Sequence, residues 1–353
     1  MKHFLVIVLI FFAISLLSGC SGKPSPEKLS ISVKPNLALL QDNPQFVMYM
    51  NFKSMRQSVF WKENISDSIL NAEKSFGSLL NVFKNATGVS ISDGLDELYF
   101  SNAWLGENAI VLKGVFDKIK LDNYISKDSL ITRNKRPDGV EIFTLKENDL
   151  SFFFKDNFTL CASNFPKQID QMIFVRDTSN SGVLKNSAVM NAIETVIYKE
   201  HLWMITTEKT FIRGIFANFV DSHKPGTFNS NTDTSTTKTD SLSIGDDIIS
   251  NEFYKKINAF CISAKMKNDL KLIVQFECTD SKAADNFGKM INGMIALSRI
   301  SSSLKKEKQN NSFDKILESL KIRAYDNSVQ LYTEINKNNI SSFRQNSFLK
   351  KPN

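Results

Sequence analysis

Histidine is rare in this sequence: the chain of 353 residues has three, His3, His201 and His223. A catalytic triad or a histidine-rich metal site needs at least one histidine beside suitable partners, and the sequence shows no such arrangement. The motifs Gly-x-Ser-x-Gly, His-Glu-x-x-His and Gly-x-Gly-x-x-Gly and the Walker A loop are also absent. We therefore expect no enzymatic activity, no metal and no cofactor, although these absences do not exclude a hydrolase that works through carboxylates.

One stretch has the spacing of a calcium-binding loop. Positions 1, 3, 5 and 12 of an EF-hand pattern are filled by Asn229, Asn231, Asp233 and Asp240. The sixth position is Thr234, where a glycine normally makes the turn, and the twelfth is aspartate instead of the bidentate glutamate. The surrounding residues, 222–250, are rich in serine, threonine and asparagine and lack periodicity, so we interpret them as a disordered loop.

Cysteine is also scarce, with Cys20, Cys161, Cys261 and Cys278. Three cysteines remain after Cys20, so at least one thiol is unpaired. The alternation of apolar residues places Cys261 and Cys278 on opposite faces if their strands pair as a hairpin. We therefore expect no disulfide between them.

The first residues have the pattern of a bacterial signal peptide. Lys2 precedes a mostly apolar run of fourteen residues, Phe4 to Leu17, which is shorter than the roughly 20 residues that a spanning helix needs. The run ends in Leu17-Ser18-Gly19-Cys20, which resembles the bacterial lipobox. The resemblance implies that the Cys20 thiol receives a diacylglycerol and that the chain is cut just before it. We predict a signal peptide over residues 1–19 and lipidation at Cys20.

A lipidated Cys20 assigns the protein to the cell envelope, on the periplasmic or surface face of a membrane. Ser21, directly after the cysteine, is compatible with sorting to the outer membrane. Membrane lipid is then the first partner, reached through the acyl chains. The net charge of +7 is spread along the chain without a block of five like charges, and in an exported protein we expect no nucleic-acid partner.

The rest of the chain divides by composition. Residues 20–40 begin with a polar, proline-containing stretch, and we predict a lipidated cysteine followed by a flexible tether. Alternating strand and helix patterns then predict a first α+β unit over residues 41–200 and a second over 201–345, the latter interrupted by the loop 222–250.

The second unit looks like a repeat of the first. Gln45–Phe60 can be aligned with His201–Phe216, so that Met48 matches Met204 and Lys53 matches Lys209. Hairpin, helix and hairpin follow in that order in both halves. We interpret this as a degenerate duplication, with chance identity over a few positions as the competing explanation.

Three short motifs carry a further resemblance. Asn51-Phe52-Lys53, the Gly-Leu-Asp-Glu-Leu of 94–98 and the Leu-Lys-Gly-Val-Phe-Asp of 112–117 resemble a broad group of uncharacterised bacterial lipoproteins with paired α+β units. The resemblance implies an architecture and no chemistry. Together with the repeat, it predicts an α+β fold of two similar units, each an antiparallel sheet with helices packed on one face.

Two further clusters have alternative explanations. Phe152-Phe153-Phe154 indicates either a strand covered on both faces or an exposed apolar surface for a lipid or protein partner. Asp93, Asp96 and Glu97 precede or begin a strand, where cap and turn roles are favoured over catalysis.

The leading hypothesis is a non-enzymatic, lipid-anchored envelope protein that acts as a binding or structural module. Its further partner would be an envelope protein or a hydrophobic ligand. The alternatives are an envelope hydrolase with carboxylates in a cleft between the units, and a carrier of hydrophobic ligands, which requires an enclosed apolar cavity. Cys20 is the single functional residue that the sequence predicts.

Overall fold

A computed structural model describes residues 22–75, 79–103, 106–127, 131–146, 149–175, 180–221, 254–304 and 319–336. These residues form an α+β fold on one antiparallel sheet, which confirms the predicted fold class. No helix in these ranges is long and apolar enough to cross a membrane. Cys20 lies outside the described residues.

The helices and strands follow one another in mixed order. The described strands are β1 Phe46–Asn51, β2 Leu95–Asn102, β3 Asn108–Gly114, β4 Ile131–Lys135, β5 Glu141–Leu145, β6 Leu150–Asp156, β7 Thr159–Ser163, β8 Leu202–Thr206, β9 Ile257–Met266, β10 Leu270–Cys278, β11 Lys321–Tyr325 and β12 Ser328–Ile335. The described helices are α1 Lys34–Leu37, α2 Phe52–Gln57, α3 Val59–Asn64, α4 Ser66–Lys74, α5 Leu79–Thr87, α6 Lys118–Ile125, α7 Pro166–Phe174, α8 Ser187–Thr195, α9 Lys209–Asp221 and α10 Ser281–Leu304.

Twelve strands form a single sheet in the order β11-β12-β10-β9-β8-β1-β2-β3-β7-β6-β5-β4. The order β8-β9-β10-β12-β11 in the C-terminal half has the same connections as β1-β2-β3-β7-β6 in the N-terminal half. The β4–β5 hairpin has no counterpart among the described strands of the C-terminal half. The two halves meet where β1 pairs with β8.

The β1–β8 pair relates the two halves by a local two-fold axis. Met48 lies directly opposite Met204, and these are the two residues that the sequence alignment matches. In an antiparallel pair, an axis perpendicular to the sheet passes between residues that are both opposite and equivalent. The aligned methionines therefore mark the centre of one continuous sheet.

Helices cover both faces of this sheet. On the back face, which carries Met48 and Met204, α2–α6 pack on the N-terminal half and α9 and α10 pack on the C-terminal half. Each half therefore has a helical layer on this one face, as expected, and the front face carries helices in addition. On the front face, a central layer of α1, α7 and α8 covers Val47, Tyr49 and Trp203.

The burial of β6 follows from these two layers. Phe152 belongs to the back core and Phe153 to the front core, and both are buried, while Phe154 is half-buried against the back core. Successive side chains of a strand point to opposite faces, so a run of three phenylalanines fits a strand covered on both sides. This explanation of the phenylalanine cluster is confirmed.

The structure corrects the predicted extent of the tether. Leu29 packs against the front core, and Val33, Leu37 and Leu40 are buried in it. Residues from Lys23 onward therefore lie on the body, because their apolar side chains complete the front layer. We call residues 23–33 the N-terminal segment.

Candidate functional site

The sequence-predicted candidates do not meet in one site. Cys20, His223 and the stretch 229–240 lie outside the described residues. His201 is buried just before β8, where its Nδ1 accepts the Met266 N–H at 3.0 Å. Burial lowers the pKa of His201, against the opposing effect of Glu200. A neutral histidine that accepts a main-chain hydrogen bond has a structural role.

Each acidic residue of the cluster at the start of β2 is bonded to a neighbouring part of the fold. Asp93 lies in a turn with Ser90, whose hydroxyl accepts the Asp93 N–H at 3.1 Å. Asp96 pairs with Arg56 at 3.5 Å. Glu97 differs from the expected cap or turn role, because it accepts hydrogen bonds from the hydroxyls of Tyr49 (2.9 Å) and Tyr99 (2.6 Å) in the front core.

The three later cysteines are unpaired and buried. Cys261 belongs to the front core and Cys278 to the back core, so the prediction of opposite faces is confirmed. Burial raises the pKa of both Cys161 and Cys261 to about 12, and that of Cys278 to about 11. Thiols with such high pKa values are unreactive at neutral pH.

The front face of the C-terminal half carries a groove of about 430 Å³. Strands β10, β12 and β11 form its floor. The N-terminal segment and the residues between α8 and β8 form its walls. The lining residues are Pro24, Ser25, Glu27, Ile197, Tyr198, Ile273, Lys321, Arg323, Tyr325, Gln330 and Tyr332.

The register of the three strands arranges the floor in rows. The first row is Ile273, Tyr332 and Lys321; the second is Gln275, Gln330 and Arg323; the third is Glu277, Ser328 and Tyr325. Residues two apart along a strand share a face, so all nine side chains belong to the front face. The outer strand supplies two cations and a tyrosine.

The second and third rows contain buried polar atoms without a hydrogen-bond partner among the described residues. They are Gln275 Oε1, Gln330 Nε2 and Ser328 Oγ. Gln330 is 4% exposed and lines the groove. A buried amide without a partner costs roughly 1–3 kcal/mol, so such groups are rare unless a water or a ligand completes them.

The groove is electropositive on its outer side. No ion pair of the described residues involves Lys321 or Arg323, and both are exposed. The one lining carboxylate, Glu27, is bound to Lys265 at 2.5 Å. The cations of the outer strand are therefore available to an anion.

Tyrosine hydroxyls add neutral donors around the groove. Burial, and then the nearby Glu334 carboxylate, raises the pKa of Tyr332 to about 12. Burial and the Glu27 carboxylate also raise the pKa of Tyr198. Both phenols therefore stay protonated at neutral pH. The Tyr332 O–H already donates to Glu334 Oε2 at 3.3 Å, so Tyr332 presents its ring face, whereas Tyr198 presents a ring face together with an O–H group.

The equivalent surface of the N-terminal half is closed and apolar. Its middle row consists of Val111, Cys161 and Phe153. Helix α7 covers this row through Ile169 and Met172. Among the described residues, no helix covers the polar row of the C-terminal half, so the two halves have diverged at the same place in the sheet.

The groove does not have the chemistry of a two-carboxylate hydrolase. Glu27 already accepts the Lys265 ammonium and the main-chain N–H groups of Lys199 and Glu200. Glu277, in the third row of the floor, is buried beneath its ion pair with Lys23 at 3.0 Å, and it is not among the described residues that line the groove. Within the described ranges, no group of three or more histidine, cysteine or acidic side chains could hold a metal ion. The arrangement is suited to binding an anion through donors.

No protein-family model and no curated protein matches this chain. Crystal form I of a protein designated TP0453 gives a TM-score of 0.47 with 10% identity, over 92% of this chain and 98% of that one. Crystal form III gives a TM-score of 0.47 with 8% identity, over 87% of this chain and 96% of that one. Crystal form IV gives a TM-score of 0.43 with 8% identity, over 88% of this chain and 96% of that one. Similarity at this level carries no information about function.

The sequence analysis did not find the groove. Tyr198, Gln330 and Arg323 are separated by up to 132 positions in the chain, and only the strand order brings them together. One local signal exists: β12 reads Ser-Val-Gln-Leu-Tyr-Thr-Glu-Ile, with polar residues on one face and apolar residues on the other. Gln330 and Ser328 are nevertheless buried, which the alternation alone does not predict.

Proposed function

We propose that this protein is a lipid-anchored protein of the bacterial cell envelope, attached through Cys20, whose folded part binds an acidic saccharide in the groove. The anchor is supported by the signal-peptide pattern and by Leu17-Ser18-Gly19-Cys20. Its sorting to the outer membrane is supported by Ser21. In this proposal the protein is a binding module without enzymatic activity.

The observation that carries the binding proposal is the unpartnered Gln330 amide. Its Nε2 group is buried at the groove and lacks an acceptor. On the paired strand, the neighbouring Gln275 Oε1 lacks a donor. A hydroxyl group is both donor and acceptor, so a polyhydroxy ligand complements this row.

The remaining lining residues favour an acidic sugar over a neutral one. Arg323 lies next to Gln330 in the same row, and Lys321 lies one row away. A carboxylate or phosphate on the ligand would gain charge-assisted hydrogen bonds from these cations. The three tyrosines offer ring faces to a sugar ring, and Tyr198 and Tyr325 also offer hydroxyl donors. The groove volume of about 430 Å³ is within the usual range for small-ligand sites.

Binding is tested by titration calorimetry of the mature chain with digalacturonate. We expect Arg323→Gln to weaken binding about tenfold, since one charge-assisted hydrogen bond contributes about 1.5 kcal/mol. The matched control is Lys135→Gln, which removes an exposed cation from β4, the other edge strand of the sheet. We expect this variant to bind like the wild type.

Two further probes separate the ligand classes. Maltose has the hydroxyls without the charge, and triglutamate has the charge without the sugar. We expect both to bind more weakly than digalacturonate. Equal affinity of wild type and Arg323→Gln for digalacturonate would contradict the groove site, and tighter binding of triglutamate would contradict the saccharide class.

The proposed alternatives receive less support from the groove. A carboxylate hydrolase needs two free carboxyl groups that face each other. Among the described residues at the groove, Glu27 is paired with Lys265 and Glu277 is paired with Lys23. A carrier of hydrophobic ligands needs an enclosed apolar cavity, whereas this groove has Gln330, Lys321 and Arg323 in its floor.

A further inference from the structure

The N-terminal segment is bonded to the body at two points along its length. At its start, Lys23 Nζ lies 3.0 Å from Glu277 Oε1, with side chains that are 26% and 10% exposed. Four residues later, the Glu27 carboxylate accepts from Lys265 Nζ at 2.5 Å and from the Lys199 N–H at 2.7 Å. Ion pairs in such partly buried positions are screened less by salt than exposed ones.

The main chain of Glu27 is fixed as well. Its N–H donates to Ile197 O at 3.0 Å, and its carbonyl accepts from Lys199 Nζ at 2.6 Å. Lys199 is buried, and its ammonium also donates to Glu194 O and Val196 O, each at 2.9 Å. An ammonium with three carbonyl partners is fully satisfied, so this contact holds the segment firmly.

These contacts give the segment a direction on the sheet. Lys265 is near the end of β9, and Glu277 is near the end of β10. The two strands are antiparallel, so the two residues lie at opposite ends of the hairpin. The chain from Glu27 back to Lys23 therefore runs along the front face, away from the β9–β10 turn. It reaches the end of the sheet where Asn327 joins β11 to β12, which we call the Lys23 end.

Only a short piece of chain separates this end from the predicted lipid. Cys20 precedes Lys23 by three residues, which span at most about 10 Å when fully extended. If residues 21–36 were all free of the body, the fully extended tether would span roughly 50 Å. The bonded segment therefore removes most of the reach of the tether.

We propose that the Lys23 end of the sheet faces the lipid bilayer directly. This inference rests on the acylation of Cys20 in the proposed function. The surface at this end carries the exposed Lys255, Lys256 and Lys282 together with Asp280 and Asp326. The lysines suit lipid head groups, but the short chain sets the orientation, so it holds on neutral bilayers too. The groove, walled by Pro24 and Ser25, then opens close to the membrane.

The orientation is tested by energy transfer from a dye on the full-length acylated protein to an acceptor lipid in phosphatidylcholine vesicles. Two exposed turn positions receive the dye in separate variants, Asn327→Cys at the Lys23 end and Asn268→Cys at the β9–β10 turn. Strand β10 separates them by about 30 Å. The buried native thiols, with pKa values of about 11 to 12, do not compete for the dye. We expect stronger transfer from position 327 than from position 268.

Two changes show whether the bonded segment causes this difference. In both dye variants, Lys23→Ala combined with Glu27→Ala should free residues 23–26 and reduce the difference, because seven residues instead of three then separate Cys20 from the first main-chain bonds, those of residue 27. The matched control, Lys28→Ala, removes an exposed lysine of the same segment and should preserve it. Equal transfer from both positions in otherwise unchanged protein bound to vesicles would overturn the inference. Absence of vesicle binding would instead contradict the acylation of Cys20.

Discussion

At the scale of single residues, the buried polar groups of the groove lower stability and are explained by ligand binding. Gln330 has a donor without an acceptor, in a position where the N-terminal half has the apolar Cys161. A protein selected for stability alone would place an apolar side chain there, because the amide loses its hydration on folding. The polar residue is retained against a cost, which is typical of binding sites.

Gln330→Leu should therefore raise stability and abolish binding at the same time. We expect the free energy of unfolding to rise by about 1 kcal/mol, since an unsatisfied amide is replaced by an apolar group of similar size. Urea unfolding and titration with digalacturonate measure the two effects. A variant that is less stable than the wild type would show that Gln330 has a native hydrogen-bond role.

His201 gives the stability of the protein a dependence on pH. Burial lowers its pKa below the ordinary value of 6.5. Below that value the unfolded chain takes up a proton that the folded chain does not, so stability falls as the pH falls below about 6.5, by at most about 1.4 kcal/mol per pH unit.

His201→Asn should reduce this dependence, because the asparagine oxygen accepts the Met266 N–H as Nδ1 does but does not titrate. Urea unfolding of both proteins between pH 7.5 and pH 5 measures the slopes. Identical slopes would contradict the assignment to His201.

At the scale of elements, Gly182 allows two parts of the front layer to approach each other closely. Gly182, in the turn between α7 and α8, has a φ of 56°, and a Cβ there would lie 2.5 Å from Leu40 O and 2.6 Å from Ala38 O. A side chain would have to displace the N-terminal residues that complete the front layer. Gly139, in the turn between β4 and β5, has a φ of 86° but nothing within 4 Å of such a Cβ.

The two glycines form a matched pair for mutagenesis. Gly139→Ala should cost about 1 kcal/mol of unfolding free energy from backbone strain alone. Gly182→Ala should cost about 3 kcal/mol or more, since it adds a main-chain clash. Thermal unfolding compares them, and equal losses would show that the main chain of Ala38 and Leu40 does not pack against the turn at Gly182.

Local sequence patterns predict individual strands and hairpins better than they predict which parts of the chain pack against each other. The alternation around Cys261 and Cys278 predicts that their strands pair as a hairpin, and the β9–β10 pair confirms this. The packing of residues 23–33 could not be predicted in this way, because Lys23 and Glu27 find their partners more than 170 positions away. The groove depends on the same long-range order.

At the scale of the whole molecule, the two halves share one core. The front core contains Tyr49 of β1 and Trp203 of β8 with ring centroids 5.6 Å apart. Helix α8, which lies in the first predicted unit, packs on β8 and β9 of the second. We therefore expect a single cooperative unfolding transition, although the sequence predicted two units. Neither 41–200 nor 201–345 should fold alone, because each would expose half of this core.

Coincident probes test this cooperativity. Trp61 reports on the back core of the N-terminal half, and Trp203 reports on the centre. Variants that retain one of these tryptophans should show the same urea midpoint by fluorescence. Two well-separated midpoints would mean that the halves unfold independently.

The central claim is that the Gln330 amide binds the ligand, and its own NMR signal tests this most directly. Digalacturonate is titrated into 15N-labelled mature protein, with Gln330→Leu identifying the resonance. Gln168 is the internal control, because it is equally buried but its Nε2 already donates to Leu39 O at 2.9 Å. The account predicts that the Gln330 amide signal shifts on titration while that of Gln168 stays in place. An unchanged Gln330 signal at saturating ligand would contradict it.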